Sequence, residues 1–372
     1  MENIVGPIAE NDDFFPREVF INRLWKRLAK HSLILSAPRR SGKSSVLTEM
    51  KNNTSTEYSF VYFNVEGASS EIEYFKILVD SLEIYGLLES KWHKGVLEYF
   101  DGIETKHITF RKNDFSIRKF INDLSSNLKS DRLIVIAIDE FSTFLAKLLK
   151  SDEEKAKDFL DINRQLRQDE KIRKRFRFIY TGSVGLENIV EKLNYSKSIN
   201  DLDSMPLKPF SKNESKEFLE KLFEHSSMSA DDGTVSYIIE KVEWLMPFFI
   251  QIIFKHIEEN CSDCICTKEV VDSAYESIFD LSNKKHFSHW QERLGETYSN
   301  KEKLFLLEVL SFTAKNIKSD FLDIENIKAD YDLEATTRHY INLLEYDGYI
   351  VKDAENYRFV SPILREWWIR NA

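Results

Sequence analysis

Cysteine, glycine and proline are scarce in this chain of 372 residues, which contains 3 Cys, 11 Gly and 7 Pro. Three cysteines, all between Cys261 and Cys266, are too few for a disulfide framework and favour a reducing compartment. So few glycines and prolines argue against long flexible linkers. The scarcity predicts a cytoplasmic protein whose core is large enough to fold without disulfides or metals.

Long apolar runs and an excess of positive charge are also missing. The most apolar stretches, 133–138 and 244–254, fall short of the roughly 20 residues that span a bilayer, and the first four residues lack the apolar segment of a signal peptide. There are 52 Lys and Arg against 62 Asp and Glu, a formal net charge of −10. Binding of nucleic acid or of an anionic membrane must therefore come from a local patch, and we expect no membrane contact.

In the first half of the chain, short apolar runs alternate with helical stretches. Strands are predicted at 32–36, 59–65, 133–138 and 176–181, with helices at 42–51 and 71–85. The run 133–138 is continuously apolar, which is typical of a parallel strand buried on both faces. The alternation predicts an α/β fold with a parallel sheet.

After Pro209 the pattern changes. Residues 212–225 and 235–260 are predicted to be helical, with no strand-like run between them. From residue 301, three predicted helices precede a hairpin whose strands are 349–352 and 357–360. Three helices followed by a hairpin is the order of a winged helix. The aromatic pair Trp367–Trp368 is expected to pack on this third part of the chain.

A phosphate-binding loop is predicted directly after the first strand. The pattern G-x-x-x-x-G-K-[ST] between a strand and a helix is matched at every position but the first, where Ala37 replaces glycine. Gly42 lets the backbone approach phosphate oxygens, Lys43 reaches the β- and γ-phosphates, and the Ser44 hydroxyl is an expected Mg²⁺ ligand. The predicted loop consists of Ala37, Pro38, Arg39, Arg40, Ser41, Gly42, Lys43, Ser44 and Ser45.

A second motif follows the apolar strand 133–138, which ends in Asp139-Glu140. An apolar run followed by Asp-Glu is the Walker B pattern. Asp139 is expected to hold Mg²⁺ through water, and Glu140 to polarise the attacking water. The strand 176–181 leads to Gly182-Ser183, and either Ser183 or Thr181 is expected to sense the γ-phosphate there, unless the segment is a plain turn.

Taken together, these motifs resemble the archaeal-type P-loop ATPases of the STAND/AAA+ class, relatives of the origin-recognition ATPases. The resemblance covers nearly the whole chain. It rests on five segments: 13–18 (DFFPRE), 37–45 (APRRSGKSS), 136–141 (IAIDEF), 180–183 (YTGS) and 246–251 (MPFFIQ). The chain departs from the family pattern at Pro16, Ala37 and Leu245, each of which stands where the family has glycine.

The resemblance implies an ATPase core at 1–208, a helical lid at 209–290 and a winged helix at 291–372, with ATP and Mg²⁺ as cofactors. It also implies that Arg17 lies near the adenine and that Pro247 contacts the nucleotide from the lid. For Arg17 the alternative is a helix-cap charge, and for Pro247 a helix start or kink.

The implied function is a conformational switch that binds and hydrolyses Mg-ATP, with Glu140 driving hydrolysis. Two alternatives are a nucleotide-gated signalling or defence module with little turnover, and a DNA-associated loading ATPase. A protein partner, or self-association through the core or the winged helix, is expected.

A basic segment precedes the strand 176–181. It is interpreted as a solvated helix face, with an arginine finger or a local nucleic-acid patch as alternatives. The candidate recognition helix at 332–347 has one strong base, Arg338, against four acids, which predicts that it does not read DNA. The basic segment comprises Arg164, Arg167, Lys171, Arg173, Lys174, Arg175 and Arg177.

Overall fold

The structure, a computed structural model, describes residues 1–105, 124–182, 185–261 and 265–371. The chain divides into two units, each built from separate segments. Unit 1 consists of Met1–Pro16, Ala37–Ser45 and Lys208–Ala372. Unit 2 consists of Arg17–Ser36 and Val46–Leu207. The phosphate-binding loop thus groups with the C-terminal half of the chain, while the domain boundaries at 208/209 and 290/291 stay a prediction.

Unit 2 is built on a five-stranded sheet in the order β2-β3-β4-β1-β5, in which every neighbouring pair is parallel. The interior strand β3 is the apolar run of the Walker B motif, and six of its seven residues are buried, as expected for a strand covered on both faces. The strands are β1 (Leu33–Ser36), β2 (Tyr58–Asn64), β3 (Leu133–Asp139), β4 (Phe176–Thr181) and β5 (Asp203–Pro206). The sequence predicted all of these strands except β5.

Helices connect these strands, which gives the α/β alternation predicted from the sequence. Because β1, β3 and β4 are parallel, their carboxyl ends lie at one edge of the sheet, and β4 lies between the other two. The helices are α1 (Glu18–Leu28), α2 (Lys43–Asn52), α3 (Glu71–Ile84), α4 (Ser90–Thr105), α5 (Phe141–Ser151), α6 (Glu153–Gln168), α7 (Glu170–Arg175) and α8 (Leu186–Lys192).

Unit 1 contains the predicted helical region. The helix α9 (Lys212–His225) begins at a capping box, in which the Ser211 side chain accepts from the Glu214 amide and the Glu214 side chain accepts from the Ser211 amide. The region predicted to be helical at 235–260 contains two helices, α10 (Asp232–Val242) and α11 (Pro247–Asn260). Pro247 stands at the first position of α11, where a missing amide costs nothing, and Glu243 adopts a φ of 53° after α10.

The C-terminal part of unit 1 has the winged-helix order predicted from the sequence. Three helices and a three-stranded sheet in the order β8-β10-β9 form it. The short strand β8 was missed, since three residues carry no periodic signal. The elements from residue 229 onward are β6 (Ser229–Ala230), β7 (Ile265–Cys266), α12 (Lys268–Ser277), α13 (Ser288–Thr297), α14 (Asn300–Asn316), β8 (Lys318–Asp320), α15 (Phe321–Ala329), α16 (Thr337–Tyr346), β9 (Ile350–Asp353), β10 (Asn356–Phe359) and α17 (Pro362–Asn371).

The core of unit 1 is rich in aromatic side chains. Trp367 and Trp368 in α17 are buried, which confirms the packing role predicted for them. The Trp368 indole donates to the Ser311 hydroxyl on α14, so a buried polar atom is satisfied. Against the expectation of reduced thiols, Cys261 is disulfide-bonded, whereas Cys266 is a free, buried thiol. None of the helices in the described ranges has the length and apolarity needed to cross a membrane.

Candidate nucleotide site

The phosphate-binding loop between β1 and α2 takes a backbone shape that only some residues can adopt. Gly42 has a φ of 88°, and Arg40 has a φ of 68°. The left-handed region costs a non-glycine residue free energy, and such residues concentrate at ligand sites. Ala37 has no positive φ, so its Cβ causes no backbone strain at the position where the pattern has glycine. The substitution is therefore compatible with a functional loop.

Lys43 is held by its own loop. Its buried amino group donates to the carbonyl oxygen of Ala37 at 2.7 Å and to that of Pro38 at 3.1 Å. The backbone of the same loop therefore supplies the acceptors that a bound phosphate would otherwise provide. Ser45 accepts a hydrogen bond from the Ala9 amide at 3.1 Å, which ties the loop to the N-terminal segment of unit 1.

The loop also contacts the first turn of α11, in the segment that resembles the lid motif. The Arg40 guanidinium lies 5.0 Å from the centre of the Phe248 ring and donates to the Gly6 carbonyl at 3.2 Å. The segment around Gly6 is fixed on α11, since Gln251 donates to the carbonyl of Ile4 at 2.9 Å. These contacts were not predictable from the sequence, because they join segments far apart in the chain.

A turn of the winged helix touches the same loop. Gly348, with a φ of 77°, follows α16, and a Cβ at this position would lie 2.9 Å from both the Pro38 Cβ and the Trp244 ring. Glycine is required here both by the backbone and by the close approach. Within unit 1, the loop thus contacts the lid segment and the winged helix at the same time.

In unit 2, the Walker B carboxylates lie where β3 ends. Asp139 is buried and accepts hydrogen bonds from the Tyr62 hydroxyl at 2.8 Å and from the Glu140 amide at 3.0 Å. Glu140 has a φ of 56° and accepts from the Thr143 hydroxyl in the first turn of α5. Asp139 is thus oriented from two sides, and Glu140 occupies a strained backbone conformation of the kind found at functional sites.

The end of β4 carries the candidate γ-phosphate sensor. The Thr181 hydroxyl is buried and has no hydrogen-bond partner. The next residue, Gly182, packs so closely on Ser142 of α5 that a Cβ would lie 1.9 Å from the Ser142 oxygen. Ser183, the other candidate, lies outside the described residues. Of these two hydroxyls, the structure describes that of Thr181, which has no hydrogen bond to the protein.

The resemblance implied that Arg17 lies near the adenine and that Pro247 contacts the nucleotide from the lid. These two residues belong to separate units. Arg17 is buried in unit 2 directly before α1. Pro247 begins α11 in unit 1. Both positions agree with the alternative interpretations of a helix-terminal charge and a helix start, and their contacts with nucleotide stay predictions.

The basic segment 164–177 is not one solvated face, as the sequence had suggested. Arg167 is buried, and its guanidinium contacts Asp201 at 2.9 Å and donates to the Ser198 carbonyl at 2.7 Å. Burial lowers the pKa of Arg167, but Tyr180 and Asp201 outweigh it and raise the pKa overall. Arg175 donates to the Ser130 carbonyl. These arginines stabilise unit 2, so at most the exposed members of the segment are left for a partner.

Two residues are suited to hold a magnesium ion. Mg²⁺ prefers oxygen ligands and is held by few protein groups together with substrate phosphates. The Ser44 hydroxyl, in the first turn of α2, and the Asp139 carboxylate, at the end of β3, each offer such an oxygen. Among the described residues, no group of three or more His, Cys, Asp or Glu forms a metal site by itself. Each of the two residues, taken alone, therefore suits a metal that is also held by the phosphates of a nucleotide.

Solved structures with the same fold were found among archaeal proteins. The Walker-type ATPase of Pyrococcus abyssi is 18% identical, with a TM-score of 0.64 over 99% of both chains. The ORC2 protein of Aeropyrum pernix, solved in ADPNP–ADP complexes, is 12% identical, with a TM-score of 0.52 over 97% of this chain and 95% of that one. No family profile matches the sequence, and no curated protein matches it. The predicted fold, a P-loop ATPase core with a helical lid and a winged helix, is confirmed, and with it the resemblance to archaeal-type P-loop ATPases at the level of the fold.

Proposed function

We propose that this protein binds Mg-ATP and hydrolyses it, and that nucleotide binding switches the arrangement of its lid and winged helix. The observation that carries the proposal is the strand–loop–helix at 33–52, with left-handed residues at Arg40 and Gly42 and the lysine at the start of α2. Loops of this shape cradle phosphates with backbone N–H groups. The fold that the chain shares with the Walker-type ATPase of Pyrococcus abyssi, and with the ORC2 protein solved in ADPNP–ADP complexes, supports the same function.

In this proposal the loop residues 37–45 bind the phosphates, and Lys43 exchanges its bonds with the carbonyls of Ala37 and Pro38 for bonds with phosphate oxygens. Ser44 and Asp139 hold the metal, which supplies charge neutralisation at the β- and γ-phosphates when it is bound. Glu140 orients and polarises the attacking water. Ser183 or Thr181 contacts the γ-phosphate, Arg17 lies at the adenine, and Pro247 approaches from the lid.

The contacts of the loop within unit 1 support the switch. Pro38 touches Gly348 of the winged helix, and Arg40 lies over Phe248 of the lid segment. A loop that reshapes around phosphates must move these side chains, and packed contacts of this kind have few alternative arrangements. The core (1–208), lid (209–290) and winged helix (291–372) are the bodies that we propose to move.

A second candidate is a nucleotide-gated module in a signalling or defence assembly that turns over slowly. It is favoured by the hydrogen bond from Thr143 to Glu140, because a carboxylate engaged by a neighbouring hydroxyl is a weaker base. Release of Glu140 by a partner or by a second copy of the chain would then set the rate.

Three measurements on the full chain test the proposal. Calorimetry with ATP, with and without Mg²⁺, measures binding. Steady-state release of phosphate measures turnover, alone and with DNA, which separates the enzyme, the slow module and a DNA-associated ATPase. Turnover without DNA supports the switch that hydrolyses ATP, and stimulation by DNA favours the third class. Absence of any heat of binding with ATP·Mg²⁺ contradicts both the enzyme and the nucleotide-gated module.

A further inference from the structure

Unit 1 contains a cluster of cationic and imidazole side chains that includes part of the phosphate-binding loop. Two members are the loop residues Arg39 and Arg40, which stand at variable positions of the pattern, so the motif assigns no task to their side chains. The other two, His289 and Arg293, are four residues apart on α13 and therefore share one face of that helix. We refer to these four residues as the loop–α13 cluster.

Contacts within unit 1 bring the two halves of the cluster together. Arg40 lies over the Phe248 ring, and that ring lies 6.3 Å from His286, three residues before His289. On the other side, Arg293 contacts Asp347 at 2.8 Å, and the next residue, Gly348, is the one that meets Pro38. The loop is thus joined, through Phe248 and through Gly348, to the segment 286–293 that contains His289 and Arg293.

The cluster is short of hydrogen-bond partners. His289 is 9% exposed, and neither of its ring nitrogens has a partner. Arg293 is 2% exposed, and its Nε and Nη1 atoms lack partners, as does the buried Nε of Arg40. Buried polar atoms are nearly always hydrogen-bonded, so several unbonded nitrogens in one place indicate a group that is bound there in the working protein.

The cluster is also short of negative charge. Of its three guanidinium groups, that of Arg293 contacts a carboxylate, Asp347, which also accepts from the Tyr298 hydroxyl. Within the described ranges, Arg39 has no ion-pair partner. Burial, followed by the charges of Arg39, Arg40 and Arg293, lowers the pKa of His289 to about 3. The imidazole is therefore neutral and able to donate one N–H.

The start of helix α13 also favours a negatively charged ligand. It has ten residues, and its N-cap residue, Phe287, provides no side-chain acceptor for the first amides. His289 lies in this first turn, where amide groups and the helix dipole favour an anion. The unbonded imidazole and the uncapped helix start thus point to the same kind of ligand.

We propose that a phosphate-bearing anion binds in unit 1 among Arg39 and Arg40 of the loop and His289 and Arg293 of α13. A phosphate group offers three or four acceptor oxygens to donors that approach from several directions, whereas a single carboxylate offers two in one plane. Arginine forks match phosphate geometry, and a neutral imidazole donates a further bond. The inference rests on the proposed function where the phosphate is that of the nucleotide, whereas a free phosphate or pyrophosphate would bind there without it.

Two sources could supply the phosphate, the bound nucleotide and a free phosphate or pyrophosphate, and an NMR experiment on the full chain separates them. Histidines labelled with ¹³C at Cε1 give eight signals, and the His289→Gln variant identifies the one of interest. Phosphate, pyrophosphate and ADP are added at constant ionic strength, to the wild type and to Lys43→Ala. We expect the His289 signal to shift and its pKa to rise when the site fills.

A shift with phosphate or pyrophosphate in both proteins identifies a free anion as the ligand. A shift with ADP alone, lost in Lys43→Ala, identifies the phosphates of the nucleotide. If no probe moves the signal, the inference is overturned, and calorimetric binding of ADP under the same conditions would leave the proposed function standing. The wild-type measurement does not depend on the folding of any variant.

A matched pair of variants tests whether the loop arginine contributes. Arg39→Gln removes one charge-assisted contact from a partly exposed side chain and should weaken binding of the effective probe about tenfold. Lys284→Gln removes the same charge from an exposed residue near the start of α13 and should change the affinity less than about twofold. An equal loss of affinity in the two variants would mean that the anion responds only to the overall positive charge of this region. That result would overturn the proposed binding site.

Discussion

The amino group of Lys43 lies 2.7 Å from the carbonyl oxygen of Ala37, six residues earlier in the same loop. The lysine is therefore already ordered by a backbone acceptor, and a phosphate needs only to replace that acceptor. Such preorganisation lowers the entropy that binding costs, because a long side chain is not immobilised anew.

The first prediction concerns this lysine. Lys43→Ala should weaken binding of ATP·Mg²⁺ by at least about hundredfold, since charge-assisted hydrogen bonds to the phosphates are lost. Calorimetry measures the effect. Lys51→Ala, at the other end of the same helix α2, is the matched control and should bind as the wild type does. Unimpaired affinity in Lys43→Ala would exclude the phosphate-binding role of the loop.

The second prediction concerns Glu140. Glu140→Gln keeps the size of the side chain but removes the carboxylate, so ATP binding should persist while turnover falls about 10²- to 10⁴-fold. Thr143→Val, which removes the hydroxyl that donates to Glu140, should leave binding intact and raise turnover if that hydrogen bond restrains the carboxylate. Phosphate release under saturating ATP distinguishes these outcomes, and full activity in Glu140→Gln would exclude it as the base.

The third prediction concerns Gly182, at the carboxyl end of β4. Gly182→Ala places a Cβ 1.9 Å from the Ser142 oxygen, so the free energy of unfolding should fall by about 1–3 kcal/mol through overpacking. Urea unfolding of the full chain measures it. Gly67→Ala is the matched control, because a Cβ there meets nothing within 4 Å. Adding Ser142→Ala to Gly182→Ala should restore part of the loss, and strict additivity of the two changes would contradict the contact.

The features that the sequence predicted are those formed by consecutive residues. The strand, loop and helix of the phosphate site were predictable because β1, Gly42 and Lys43 are consecutive, and β3 because an apolar run precedes Asp139. The contact of Gly348 with Pro38 and the bond from Tyr62 to Asp139 were not predictable. They join distant segments, and only packing decides them.

The features that the sequence predicted incompletely also depend on contacts between distant segments. Arg167 was assigned to a solvated face because charge is usually exposed, but Asp201, 34 residues away, buries it in an ion pair. The region predicted to be helical at 235–260 is continuous in hydrophobicity, so the break before Pro247 was not located, although a helix start or kink was the alternative to a nucleotide contact there. In both cases the kind of segment was predicted correctly. What the sequence did not indicate was the tertiary partner of Arg167 and the backbone angle that ends α10.

The fourth prediction concerns pH. The unfolded chain takes up a proton at His289 near pH 6.5, whereas folding lowers this pKa to about 3. The unfolded state therefore binds more protons between these values, and the free energy of unfolding falls as the pH drops from about 6.5, by up to about 1.4 kcal/mol per pH unit from this group. Urea unfolding at pH 7, 6 and 5 should show a smaller decline in His289→Gln than in the wild type. Identical slopes would mean that His289 is charged or exposed in the folded protein.

The last prediction is that the winged helix does not read DNA sequence. A helix in the major groove gains most of its affinity from Lys and Arg, and Arg338 is the strong base of α16. That side chain is already engaged, since it donates to the Tyr357 hydroxyl at 2.9 Å and lies 5.2 Å from the centre of the Phe321 ring. In the three-stranded sheet, Arg358 on β10 is paired with Glu243, and Lys318 on β8 is paired with Asp353.

DNA contact by this unit would have to break these bonds and also overcome the acidic residues around α16. Arg338→Ala should therefore lower the free energy of unfolding by about 1 kcal/mol and leave DNA affinity unchanged. Any residual DNA binding by the full chain should be independent of sequence and weaken steeply with salt, as expected for exposed members of the 164–177 segment such as Arg173. Gel shifts at two salt concentrations, with specific and scrambled duplexes, measure this. Sub-micromolar, sequence-dependent binding that Arg338→Ala abolishes would show that α16 enters the groove, and that its bond to Tyr357 is exchanged for one to a base.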